Sequence, residues 1–173
     1  MNDQTYLILF RLLHIACGVF WAGSVFYFTF FIIPAVKKSG PAGTTFLQQL
    51  GRTGFPTVIV LTAVITIISG IMLLWKLSNH FERIWFTTLY AKILSVGMIT
   101  STIAFLVGFT VNRPASNRVN RISAAIDKSG AAPTTEQLNE LMALRKKIFM
   151  GTQIIAVLLI ITIISMSIFR YVS

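Results

Sequence analysis

Apolar residues in this chain gather in four long runs instead of alternating with polar ones. The first covers about residues 6–36 and ends at Pro34 and the pair Lys37–Lys38. The second covers about 53–76, bracketed by Arg52 and Lys76. The third covers about 84–112, is interrupted once, by Lys92, and stops at Arg113–Pro114. The fourth covers about 146–170, between Lys147 and Arg170. Each run is near the roughly 20 apolar residues that a helix needs to cross a bilayer core of about 30 Å. Strands in lipid would leave backbone groups unpaired, so the runs predict four transmembrane helices.

Between the runs, the pattern changes character. After Gly40–Pro41, the stretch Thr44–Leu50 predicts a short interfacial helix with Phe46, Leu47 and Leu50 toward lipid. The connector 113–145 is the one sizeable polar region. Within it, Ser116–Lys128 predicts an amphipathic helix broken at Ser129–Gly130. Thr134 and Gln137 have the spacing of a capping box. The helix they start is predicted to run without a break through Lys147 into the fourth span, projecting several turns beyond the bilayer. The fold class that follows is an all-α membrane protein: one four-helix transmembrane bundle with a cytoplasmic helical extension between helices three and four.

Composition sharpens this reading. With 55% of its 173 residues apolar, 12% charged and a mean hydropathy of +0.77, the chain has far more apolar material than a soluble core of that size needs. The net charge of +10 does not point to nucleic acid, because the basic residues sit in the loops. There they suit anionic headgroups and set orientation. Lys37, Lys38, Arg52, Arg113, Arg118, Arg121, Lys128, Arg145, Lys146 and Lys147 lie on one side; only Arg11, Lys76, Arg83 and Arg170 lie on the other. The positive-inside rule then places both termini outside, in what reads as a bacterial cytoplasmic membrane. Residues 1–10 lack Lys and Arg, and the run after them is too long for a cleaved signal. Trp75, Trp85, Tyr90 and Tyr171 read as an outer aromatic belt. Gly97 with Ser101, and Ala104 with Gly108, are small-residue pairs that let helices approach closely.

The candidate chemistry sits in the first run. His14, the lone cysteine Cys17, and Trp21 recur at i, i+3 and i+7 and share one helix face, with Arg11 on much the same side. His14 lies about 10 Å inside the outer boundary at 1.5 Å per residue, and Lys92 lies about as deep on the third run. Asp3, Glu82, Asp127, Glu136 and Glu140 all fall outside the apolar runs. A basic pocket without carboxylates disfavours a proton pump or a hard-cation site and favours an anionic guest. Three readings of His14 follow. It serves as axial ligand to b-type haem, with Trp21, Phe10 and Phe28 near the ring, Met72 as the second ligand and Lys76, Arg83 and Arg170 near propionates. It binds copper with Cys17, helped by Met72, Met98 or Met166. Or it hydrogen-bonds a neighbouring helix through Ser69 or Thr66. His80 lies too far out along the second run to share one iron with His14.

The segment LHIACGVFWAG from Leu13, with Phe31–Pro34 after it, resembles the CopD-like membrane proteins and, more distantly, the HemJ-type protoporphyrinogen oxidases. LYAKILSVGMI from Leu89 and the closing Asn112–Arg113 are similar to the same pattern. The HemJ-type resemblance implies b-type haem at His14. The CopD-like resemblance implies copper handling at His14 and Cys17. The expected function is therefore a haem b-binding membrane protein, for electron transfer or tetrapyrrole handling, with Arg11, Lys92, Trp21 and Met72 around His14. A copper-handling protein and a non-catalytic interaction module, docking through the Thr134–Lys147 helix, are the alternatives. Expected partners are the bilayer and a redox partner or a second copy. No nucleophile–base constellation is recognisable, so catalysis stays open.

Overall fold

The apolar runs build helices longer than a bilayer requires. A computed structural model describes residues 2–172. In chain order the helices are α1 (Asp3–Tyr27), α2 (Ile33–Lys38), α3 (Gly40–Arg52), α4 (Phe55–Leu77), α5 (Leu89–Val107), α6 (Arg113–Ser129) and α7 (Thr135–Ile168). The chain is an all-α membrane bundle, with four helical stretches long and apolar enough to cross: Asp3–Lys38, Phe55–Leu77, Leu89–Ser129 and Thr135–Tyr171. The helix α1 packs along α4 and α5 along α7, with lighter contact between the two pairs.

Proline does not end the first and third spans, contrary to the expectation at Arg113–Pro114. In each, a π turn comes just before the proline: Phe28–Ile32 before Pro34, and Gly108–Asn112 before Pro114. The Ile33 N–H returns five residues to the Phe28 carbonyl, and Arg113 N–H likewise to Gly108. The widened turn shifts the carbonyl that the pyrrolidine ring would strike, so the helix continues through it. One continuous helical stretch therefore joins the third span to α6.

Helix ends follow their local signals. The Asn2 side chain accepts from Thr5 N–H at 2.8 Å and starts α1 earlier than the apolar pattern suggests. The capping box at Thr134 and Gln137 opens α7, which runs unbroken to Ile168. Gly130, at φ +63°, closes α6 in the left-handed conformation. The third span begins at Leu89 and not near residue 84, because Trp85 folds back in a 3₁₀ turn and packs into a cluster with Leu74 and Ala91. Trp85 is thus core and not belt, with Tyr90 against it at 5.5 Å between ring centroids; Trp75 and Tyr171 stay exposed as expected.

Small residues set the close approaches. On α5, Gly97, Ser101 and Ala104 are buried. Thr162 of α7 reaches Thr100 Oγ1 at 2.8 Å, and a Cβ on Gly97 would lie 3.1 Å from Met166 Cγ and 3.3 Å from Thr162 O. Gly23 differs: nothing lies within 4 Å of a Cβ placed there. Gly23→Ala should gain up to about 1 kcal/mol of helix propensity without a clash. Its melting temperature in detergent is expected to match or exceed the wild type; a fall would show that this face is occupied.

Beyond the spans, α6 lies against the projecting half of α7. Ile122, Ser123 and Leu141 are buried between them, and Arg118 grips Glu140 through Nε–Oε1 at 2.7 Å and Nη2–Oε2 at 3.2 Å. The projecting helix expected to dock a partner is therefore paired within the chain along one face. The helix α3 lies over the same end, held by Asn120 Nδ2 donating to Gly51 O at 3.2 Å and by the Arg52–Asp127 ion pair.

Candidate functional site

His14 lies in the seam between α1 and α4. Its Nδ1 is 2.8 Å from the carbonyl oxygen of Thr66 and 3.4 Å from Ser69 Oγ. A carbonyl can only accept, so Nδ1 carries the proton and donates. The ring lies against Gly70, where a Cβ would fall 2.9 Å from His14 Cε1. Ser69 Oγ donates to Ile65 O at 2.6 Å, and Thr66 Oγ1 to Thr62 O at 2.7 Å, so both α4 hydroxyls are satisfied within their own helix. The α4 face offers His14 one backbone carbonyl and a bare glycine. Among the described residues, Nε2 has no hydrogen-bond partner. Fixing Nδ1–H on a carbonyl leaves Nε2 as the nitrogen with a free lone pair, the arrangement that orients an imidazole for metal ligation.

The other expected site residues are dispersed. Arg11 and Lys92 are exposed, on α1 and α5 respectively, with Arg11 one turn before His14. Lys76 is not free for propionates: its Nζ lies 2.7 Å from Asp3 Oδ1 and 5.6 Å from the Tyr6 ring centroid. The Tyr6 hydroxyl donates to Met72 O at 3.3 Å, which closes the α1–α4 seam at the end that carries the termini. Met72 and Cys17 are half-buried. Phe10 pairs with Tyr6 at 4.5 Å and Phe28 with Phe55 at 5.5 Å, at opposite ends of the bundle, so they cannot flank one ring. His80, at φ +64°, packs edge-on to Trp75 in the loop after α4. Among the described residues, no three His, Cys, Asp or Glu side chains gather as a metal-binding group.

The main cavity lies elsewhere. An outward-opening pocket is the expectation from sequence, yet a cavity of about 380 Å³ opens at the opposite, basic end. At the end that carries the termini, the α1–α4 seam is closed by the contact of His14 with Gly70 and by the Tyr6–Met72 hydrogen bond. At the basic end, Leu47, Leu50 and Gly51 of α3 and Ser116, Val119 and Asn120 of α6 line the cavity. Trp21, Ala63, Ala104 and Ile155, all buried, form the floor. Asn112, Asn117, Asn120, Arg113 and Arg145 stand nearer the mouth. Leu47 and Leu50 of α3 face this cavity, contrary to their expected lipid contact, while Phe46 is 47% exposed. Of the residues expected around His14, Trp21 and Phe28 line it.

Reading the sequence for charge and metal ligands passes over the asparagines. A usable signal was present: Asn117 and Asn120 sit three apart in a helix whose apolar stripe is intact, and asparagine is a poor helix former kept where it bonds something. Comparison with protein-family models, curated proteins and solved structures gives no match.

Proposed function

We propose that this integral membrane protein binds b-type haem through Nε2 of His14, in the half of the bundle that carries the termini, and serves electron transfer or tetrapyrrole handling. The observation that carries the reading is the 2.8 Å hydrogen bond from Nδ1 to the Thr66 carbonyl. It fixes the tautomer and leaves the second nitrogen for a ligand. Exposed Arg11, one turn before His14, supplies a cation for a propionate at that surface. His14 is half-buried at a helix seam, so the guest sits on the outer surface of the α1–α4 pair. Bound there, haem supplies a one-electron redox couple. The likeness of LHIACGVFWAG to the first helix of HemJ-type proteins supports the same residue, and the excess of basic residues at the other end supports termini outside.

Protein purified in detergent from haem-replete cells should show a Soret band that His14→Ala abolishes and Cys17→Ser leaves intact. A colourless preparation, or an unchanged band in His14→Ala, overturns the reading. A copper centre on His14 and Cys17 has less support, since no third donor of the kinds named above joins them. Its signature would be stoichiometric Cu(I) lost in Cys17→Ser without a Soret band.

A further inference from the structure

The cavity at the basic end has a chemistry of its own, independent of His14. Its floor is apolar and aromatic, and among the described residues the charged ones lining it are Arg113 and Arg145, with no carboxylate. Arg113 is exposed and lies over the Phe109 ring at 5.2 Å. Arg145 is half-buried and, among the described residues, has no ion pair or hydrogen-bond partner. Every acidic side chain in an ion pair at this end serves another residue: Asp127 holds Arg52 and Glu140 holds Arg118. A half-desolvated guanidinium left without an anion is costly unless a guest supplies one.

From Arg145 to Ile155, both on α7 and both lining the cavity, is ten residues, or about 15 Å of depth at 1.5 Å per residue. That depth, between a basic polar mouth and the Trp21–Ala104 floor, suits an acyl or prenyl chain better than a compact ion. The volume of about 380 Å³ lies in the range of small-molecule sites. We propose that this cavity binds a single-chain amphipathic anion, a carboxylate or a phosphate, with its head on Arg145 and its tail against Trp21.

The site reports on itself, because Trp21 lines it while Trp75 and Trp85 lie at the other end of the bundle. The full-length protein in a maltoside detergent is titrated with stearate brominated at mid-chain, with tryptophan fluorescence as readout. Saturable quenching is expected, removed in Trp21→Phe and competed by unbrominated stearate. Arg145→Gln should weaken it by about 10-fold or more, the scale of one charge-assisted hydrogen bond. Val60→Phe, which fills the half-buried wall without touching the head, should weaken it as well. It covers the case in which Arg145→Gln fails to fold. A parallel titration with an alkyl phosphate of equal chain length as competitor identifies the head, and a preference for either supports the site. Quenching that grows linearly with partitioning, persists in Trp21→Phe, or is unchanged in both Arg145→Gln and Val60→Phe overturns it.

Discussion

Gly151→Ala should cost about 3 kcal/mol or more and lower the melting temperature of the detergent-purified protein by about 10 °C. Gly151 is buried in α7, facing the π turn that follows α5. A Cβ there would fall inside the van der Waals shell of Asn112 Oδ1 and 3.0 Å from its Cγ. Alanine would gain about 1 kcal/mol of helix propensity. The clash outweighs this, because Asn112 has little room to retreat. Its Nδ2 donates to Thr152 Oγ1 at 3.1 Å, and its Oδ1 is buried with no hydrogen-bond partner. The carboxamide therefore turns its oxygen to the glycine while its nitrogen is pinned to α7 through Thr152. Asn112→Ala in the Gly151→Ala background should restore most of the loss, while Asn112→Ala alone should cost about 1 kcal/mol. A single mutant that melts like the wild type would show that the two helices do not approach as described.

The four spans, the capping box at Thr134, the break at Gly130 and the small face of α5 were legible because each rests on residues near one another in sequence. The same holds for His14 as the polar exception in an apolar helix, and Thr66 and Ser69 were nameable as partners from their place on the facing span. What escaped was decided by geometry between distant segments. Counting along the spans gives Lys92 and His14 similar depth, but depth says nothing of azimuth: Lys92 is exposed on α5, while His14 sits in the α1–α4 seam. Pro114 reads as a stop because local rules count a missing donor; the π turn that absorbs it becomes visible only in the backbone. Lys76 looked free because Asp3 lies 73 residues away in sequence. The cavity was invisible for the same reason. Its wall draws residues from all seven helices, α1 to α7, so no one stretch carries the whole of its pattern.

Gly43→Ala is expected to release α3 while leaving the four spans folded, so its effect is local where that of Gly151→Ala is global. The chain reverses through Ser39 and Gly40, the latter at φ +54°, and returns so that Gly43 presses on the backbone of Val36. A Cβ at Gly43 would lie 2.6 Å from Val36 O and 2.8 Å from Val36 Cα. A side chain can rotate away from a new methyl group, but this backbone is fixed between Pro34 and the α2 C-cap at Ser39. About 1 kcal/mol of added helix propensity cannot offset contacts that short, so α3 must lift as a unit. Lifting breaks the Asn120–Gly51 hydrogen bond and the exposed Arg52–Asp127 pair, which together contribute about 1–2 kcal/mol. The open population should then rise by a factor of about 5 to 30, and tryptic cleavage after Lys38 and Arg52 should accelerate to match, since proteolysis in this regime follows the open fraction. The four spans should still melt near the wild-type temperature, because their packing does not run through α3. Cleavage at the wild-type rate would mean that α3 is not seated on Val36. A fall in melting temperature as large as that of Gly151→Ala would mean that α3 is part of the cooperative core, and that the cavity it roofs opens only when the bundle itself does.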